Sequence, residues 1–221
     1  IRGYLVRPFS ADSRSEDSAP LPGIVVIHEN RGLNPHTEDV ARRLALQTFM
    51  TFAPDVLTSV GGYPGDDYEG GLLFRELDAD KRFEDIVAAS LWLKNREDCT
   101  GKIGITGFCY GGGVSNQMAV RLGSDLAAAV PFYGGAAPID QVSNIRAAVQ
   151  AQHGGLDARL VGAWPDYEAA LEAAGVPHEG HIHPNSVHGF FNDATPERYN
   201  EVEAGIAWEQ MVGWFNTHVR G

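Results

Sequence analysis

Hydrophobic and polar positions along the chain follow two alternating rhythms. Gly3-Tyr4-Leu5-Val6-Arg7-Pro8 alternates with period two and predicts an edge strand. Residues 10–22 are polar and predict a surface loop. Gly23-Ile24-Val25-Val26-Ile27-His28 is continuously apolar up to its last residue, the pattern of a central strand covered on both faces. Thr37 to Gln47 has helical spacing through Val40, Leu44 and Ala45, with Thr37 in the place of a cap. Phe49 to Ala53 reads as a short strand ending at Pro54-Asp55. Gly61 to Gly71 is rich in Gly and Asp and predicts a loop. Leu72 to Asn95 reads as helix with a break near Asp78 to Asp80.

The second half repeats the rhythm. Lys102 to Thr106 is a strand, and Val114 to Leu122 is a helix. Leu126 to Gly134 and Ala147 to His153 are buried strands. Trp164 to Ala174 is helical with Gly175 as its stop. His178 to His183 is a strand, and Glu197 to Val219 a closing helix. Strands alternating with helices predict an α/β fold. Its central sheet is mostly parallel, with helices on both faces. No linker or repeat interrupts it, so one domain is expected over residues 1–221.

Composition narrows the reading. A chain of 221 residues buries roughly 70 % of its unfolded surface, so no disulfide or metal staple is needed. The net charge of −12 argues against nucleic-acid and anionic-membrane partners. No run of about 18 apolar residues predicts a membrane-crossing helix. The two cysteines are Cys99, in a polar turn, and Cys109. Few cysteines and no visible leader favour the cytoplasm, while a start at Ile1 without Met leaves room for a removed leader.

Between the strand ending at Thr106 and the helix beginning near Val114 stands Gly107-Phe108-Cys109-Tyr110-Gly111-Gly112-Gly113. Strand, Gly-flanked turn and helix is the setting of a nucleophile elbow, with cysteine where serine is usual. The glycines leave room for a strained turn whose neighbours touch strand and helix. Cysteine at a helix N-terminus sits where backbone N–H groups and the helix dipole favour a thiolate. In open α/β sheets ligands bind beyond the carboxyl ends of the strands. Those ends here carry Glu29-Asn30, Cys109, Asp157 and His188.

Nucleophile, acid and histidine come in the order expected of an α/β-hydrolase. His188 would take the thiol proton and return it to the leaving alkoxide, and Asp157 would orient the imidazole. The backbone N–H groups of Tyr110 and Asn30 would hold the oxyanion. Each residue has a plainer reading. Asp157 could be a turn-former, with Asp140 and Asp166 as rival acids, and His188 a surface histidine. Glu29 could be an exposed loop carboxylate. His178, His181, His183 and His188 could form a metal cluster, though a half-exposed strand carrying histidines is the commoner outcome, and no metal is expected. No G-x-G-x-x-G follows a strand with a suitable acidic partner, so no dinucleotide site is expected.

From about Gly3 to Val219 the sequence resembles the dienelactone hydrolase (carboxymethylenebutenolidase) family of α/β-hydrolases. The marks are His28-Glu29-Asn30-Arg31-Gly32-Leu33-Asn34, the Gly-Phe-Cys-Tyr-Gly-Gly-Gly elbow, Gly155-Leu156-Asp157-Ala158-Arg159 and His188-Gly189-Phe190. The resemblance implies a Cys109–His188–Asp157 triad. It also gives Glu29 a role, contacting the thiol and helping its deprotonation when substrate arrives. It implies no cofactor, and a small ester or lactone as the partner. One departure stands out. Family members hold the substrate carboxylate with arginines, one of them four residues after the catalytic histidine, where this chain has Asn192. The other falls in the acidic Asp66-Asp67-Tyr68-Glu69 stretch, leaving Arg31, Arg75, Arg82 and Arg159 as substitutes. Cysteine-dependent hydrolysis of small esters or lactones is therefore the expected activity. A broad carboxylesterase or thioesterase, or a non-catalytic hydrolase-like binding module, is the alternative.

Overall fold

A computed structural model describes residues 1–8 and 19–220. The predicted loop over 10–22 therefore lies mostly outside the described residues. The seven strands among the described residues join one sheet: β1 (Arg2–Val6), β2 (Leu21–Ile27), β3 (Met50–Asp55), β4 (Cys99–Phe108), β5 (Ala128–Phe132), β6 (Ala148–Gly154) and β7 (His178–His183). Their order is β1-β3-β2-β4-β5-β6-β7. Among the described residues only β1 runs antiparallel, pairing with β3 from Arg2↔Asp55 to Val6↔Thr51. The other pairings are parallel. Pro54 is accommodated because β3 meets β1 there, near the edge of the sheet.

The helices are α1 (Pro35–Leu46), α2 (Asp67–Glu76), α3 (Ala79–Lys94), α4 (Tyr110–Leu122), α5 (Ala158–Ala173) and α6 (Glu201–Phe215). Strand alternation divides the core between two faces. Ile24 and Val26 face α1 and α6, packing with Val40, Leu44, Met211 and Phe215. Val25 and Ile27 face α3 and α4, in one buried cluster with Ile86, Leu93 and Met118, and α5 covers β6 and β7 on the same side. The continuously apolar β2 thus lies between two layers, as its sequence predicts.

Several boundaries differ from the sequence reading, each for a local reason. Helix α1 is capped by Asn34, whose side chain accepts the Thr37 N–H at 3.1 Å, and Thr37 lies inside the helix. Helix α2 begins within the Gly- and Asp-rich stretch read as loop. Asp66 caps it, and Asp67 accepts the Tyr63 hydroxyl at 2.7 Å. Its two glycines are there for close approach: a Cβ at Gly70 would strike the Arg31 carbonyl, and one at Gly71 the Arg31 guanidinium. Helix α5 starts at Ala158, a full turn and more before Trp164, because Asp157 caps it. The closing helix runs Glu201–Phe215, with Asn200 as cap and a wider turn over Asn216–Arg220.

Candidate active site

The elbow is built where β4 ends and α4 begins. Cys109 takes φ 54° and ψ −106°, a left-handed conformation that side chains avoid. Its N–H donates to the Phe132 carbonyl at 3.1 Å, and its carbonyl accepts the Gly113 N–H at 3.1 Å. The flanking glycines are sterically required. A Cβ at Gly107 would fall on the Gly111 backbone, and one at Gly111 on the carbonyls of Ile27 and His28. The turn therefore packs the start of α4 against the end of β2.

Asp157 follows β6 and performs two tasks. Oδ1 accepts the Leu160 N–H at 3.4 Å as the cap of α5. Oδ2 accepts the His188 Nδ1–H at 2.7 Å. A carboxylate only accepts, so Nδ1 carries the imidazole proton and Nε2 is left for the thiol side. The rival acids Asp140 and Asp166 are exposed, and Asp157 is the carboxylate that pairs with His188 among the described residues. The neighbouring Cys109 sulfur raises the His188 pKa most; burial lowers it, and Asp157 raises it further.

The loop carrying His188 is anchored by two phenylalanines and an asparagine. Phe190 packs on Tyr133 and on His183, with ring centroids at 5.8 and 4.7 Å. Phe191 packs on Phe108 and Phe132 at 5.4 and 4.7 Å. Asn192, at the position where the resemblance implied an arginine, is buried and builds the turn, its side chain accepting the Ala194 N–H at 3.0 Å.

Glu29 is buried, 9 % exposed, with Oε1 lacking any hydrogen-bond partner. It is not the exposed loop carboxylate of the plainer reading. Asn30 follows it and is half-buried. One residue that sequence reasoning missed links these groups. Tyr133 directly follows β5 with φ 36°, is 1 % exposed, and has a hydroxyl without a hydrogen-bond partner. Burial first, then the charges of Glu29 and Cys109, push its pKa well up. Its ring lies 5.1 Å from the His188 ring. The available signal was a polar-tipped aromatic closing a buried strand directly before Gly134-Gly135.

Cys109, Tyr110, Tyr133 and His188 line a cavity of about 400 Å³, together with Arg82 and Arg159. Of the four candidate arginines only these two line it: Arg31 is held against α2, and Arg75 is exposed. Arg82 stacks on Phe74 at 4.1 Å and donates to the Phe74 carbonyl at 3.1 Å. The strand histidines are engaged separately. His178 bonds Val176, His181 bonds Glu179, and His183 bonds Glu203 and Gln152. No group of three metal-ligating side chains converges among the described residues. No helix among them is long and apolar enough to cross a membrane.

Comparison with known proteins agrees with this architecture. Residues 1–219 match the model of the "Dienelactone hydrolase family". A protein named "Putative carboxymethylenebutenolidase" from Escherichia coli O157:H7 is 28 % identical over 231 residues, covering 97 % of this chain and 82 % of that one. A "Putative hydrolase fragment" from Escherichia coli K12 is 51 % identical over 78 residues, 35 % of this chain and 62 % of the fragment. The crystal structure of a "Putative Dienelactone Hydrolase" from Klebsiella pneumoniae superposes with a TM-score of 0.82 at 28 % identity, covering 98 % of this chain and 92 % of that one. With the family model spanning nearly the whole length, and the fold shared, the chain belongs to the dienelactone hydrolase family of α/β-hydrolase enzymes.

Proposed function

We propose that the protein hydrolyses small esters or lactones through a thioester on Cys109. The observation that carries this reading is the line from the Asp157 carboxylate through His188 to the elbow cysteine, opening on a cavity. His188 Nε2 takes the thiol proton, and the sulfur attacks the substrate carbonyl. The backbone N–H groups of Tyr110 and Asn30 hold the resulting oxyanion. Tyr110 is the first residue of α4, so its N–H is not used by the helix. The intermediate collapses as the carbon–oxygen bond breaks, and the imidazolium protonates the departing alkoxide. Water then attacks the thioester, giving its proton to His188. Carbon–sulfur cleavage releases the acid and restores the thiol. Glu29, buried and with Oε1 short of a partner beside Tyr133, is suited to assist this deprotonation when substrate enters, the proton coming to rest on His188.

Arg82 and Arg159 give the cavity two guanidinium groups in a chain of net charge −12. They suit a substrate with an acid group remote from the scissile bond. The test compares an aryl ester and a dienelactone with wild type and Cys109→Ala. Loss of both activities in the variant, with acyl-enzyme trapped on wild type, is the expected result. Undiminished hydrolysis by Cys109→Ala would sink the proposal.

A further inference from the structure

The Glu29 carbonyl is held by a side chain that the proposed reaction does not use. His28, directly after β2, has no solvent exposure. Its Nε2 accepts the Val56 N–H at 3.3 Å. A backbone N–H only donates, so Nε2 bears no proton and the hydrogen sits on Nδ1. Nδ1–H donates to the Glu29 carbonyl. Burial lowers the imidazole pKa, outweighing the bond to Glu29 and the charge of Asp55, so the ring is neutral at pH 7. Asp55 Oδ1 lies 3.9 Å away and is itself occupied, accepting the Leu57 N–H at 3.0 Å.

A peptide unit is planar, and those described here are all trans. Fixing the Glu29 carbonyl therefore fixes the next N–H, that of Asn30, pointing the opposite way. The Asn30 N–H enters no backbone hydrogen bond among the described residues. It lies beside the elbow, since Gly111 packs directly on the carbonyls of Ile27 and His28. We propose that His28 is a positioning residue: its neutral Nδ1–H sets the Glu29–Asn30 peptide so that the Asn30 N–H addresses the oxyanion. This role rests on the thioester mechanism. Only a neutral imidazole, or a group with the same donor and acceptor placement, serves both backbone partners at once. The Val56 N–H needs an acceptor, and the Glu29 carbonyl needs a donor. Such preorganisation matters because a donor aimed in advance costs no reorganisation as charge develops.

The test uses four full-length proteins: wild type, His28→Gln, His28→Asn and Asn30→Pro. Removing one oxyanion donor typically lowers kcat about 10²- to 10³-fold, and a donor left free to turn loses less. His28→Gln should therefore lower kcat about 10- to 100-fold with KM nearly unchanged. Asparagine carries its amide where Nδ1 stood, so His28→Asn should recover most of that loss. The control is alkylation of Cys109 by iodoacetamide, a displacement at saturated carbon that makes no oxyanion. Alkylation should run at the wild-type rate in both His28 variants. Equal kcat for the Gln and Asn variants would overturn the proposal. So would alkylation slowed as much as hydrolysis, which marks general damage. Asn30→Pro deletes the N–H and separates two failures. If it keeps kcat, the Asn30 oxyanion assignment falls. If it loses kcat while His28→Gln keeps it, only the role of His28 falls.

Discussion

Two histidine–carboxylate pairs stand five residues apart in sequence, with opposite outcomes. His188 meets Asp157 at 2.7 Å, and His183 meets Glu203 at 2.9 Å. The bonds are alike; the second nitrogen is not. His183 spends Nε2 on Gln152 at 2.6 Å, and its side chain is 3 % exposed. His188 has a side chain 33 % exposed that lines the cavity beside Cys109. Burial lowers the His183 pKa despite Glu203, whereas the Cys109 sulfur and Asp157 together raise that of His188. A histidine paired to a carboxylate becomes a base for chemistry only when its far nitrogen faces something that carries a proton. The pair by itself is a structural clamp.

The largest effect should separate the two pairs outright. His188→Gln is expected to lower kcat/KM by about 10⁴-fold or more, on the scale of losing a triad member. His183→Gln should stay within about tenfold on the same ester, since no reacting group touches it. Equal losses would erase the distinction. Next comes Asp157→Asn, which should lower kcat about 10³- to 10⁴-fold by removing the acceptor that fixes the tautomer. Its unfolding midpoint should move little, because asparagine also caps a helix and α5 keeps its start. A large fall in stability would mean that Asp157 is chiefly structural.

Stability against acid sharpens the contrast from the buried side. Burial lowers the His153 pKa to about 4, and those of His28 and His183 are lowered too. Below pH 6.5 the unfolded chain binds protons that these folded rings refuse, so stability falls as pH falls. For His153 the loss accumulates to roughly 3 kcal/mol by pH 4. Urea unfolding between pH 7 and 4 measures it, and a flat profile would contradict it. The active-site side should behave the other way. The proposed mechanism needs neutral His188, whose pKa is raised, so the acid limb of kcat/KM should lie above pH 6.5. Asp157→Asn should move the limb of its residual activity down. The smallest effect is that of Glu203→Gln, expected to cost about 1 kcal/mol of stability and leave the rate alone.

Much of the site was legible because its constraints are local. The glycines around Cys109 fit only a tight strand-to-helix turn, and the order Cys109, Asp157, His188 follows the order of the strands. Other features depend on distant partners. Asp157 can be read as an acid but not as the cap of α5, because the Trp164 spacing hides the first turn. Asp66 and Asp67 read as loop charge, whereas the helix they start is held by Gly70 and Gly71 packing on Arg31. Arg82 and Arg159 can be named among four arginines, yet only the cavity wall distinguishes them.

The sequence by itself determined the α/β layering and the chemical inventory, because apolar periodicity and the Gly-flanked cysteine act over a few residues. Only the tertiary structure decided which groups meet: His188 with Asp157 across 31 positions, Tyr133 against Glu29, and His28 between Glu29 and Val56. The reason is physical. A tautomer, a free nitrogen and an unpaired N–H are set by partners that strand order brings close, and no local pattern records those distances.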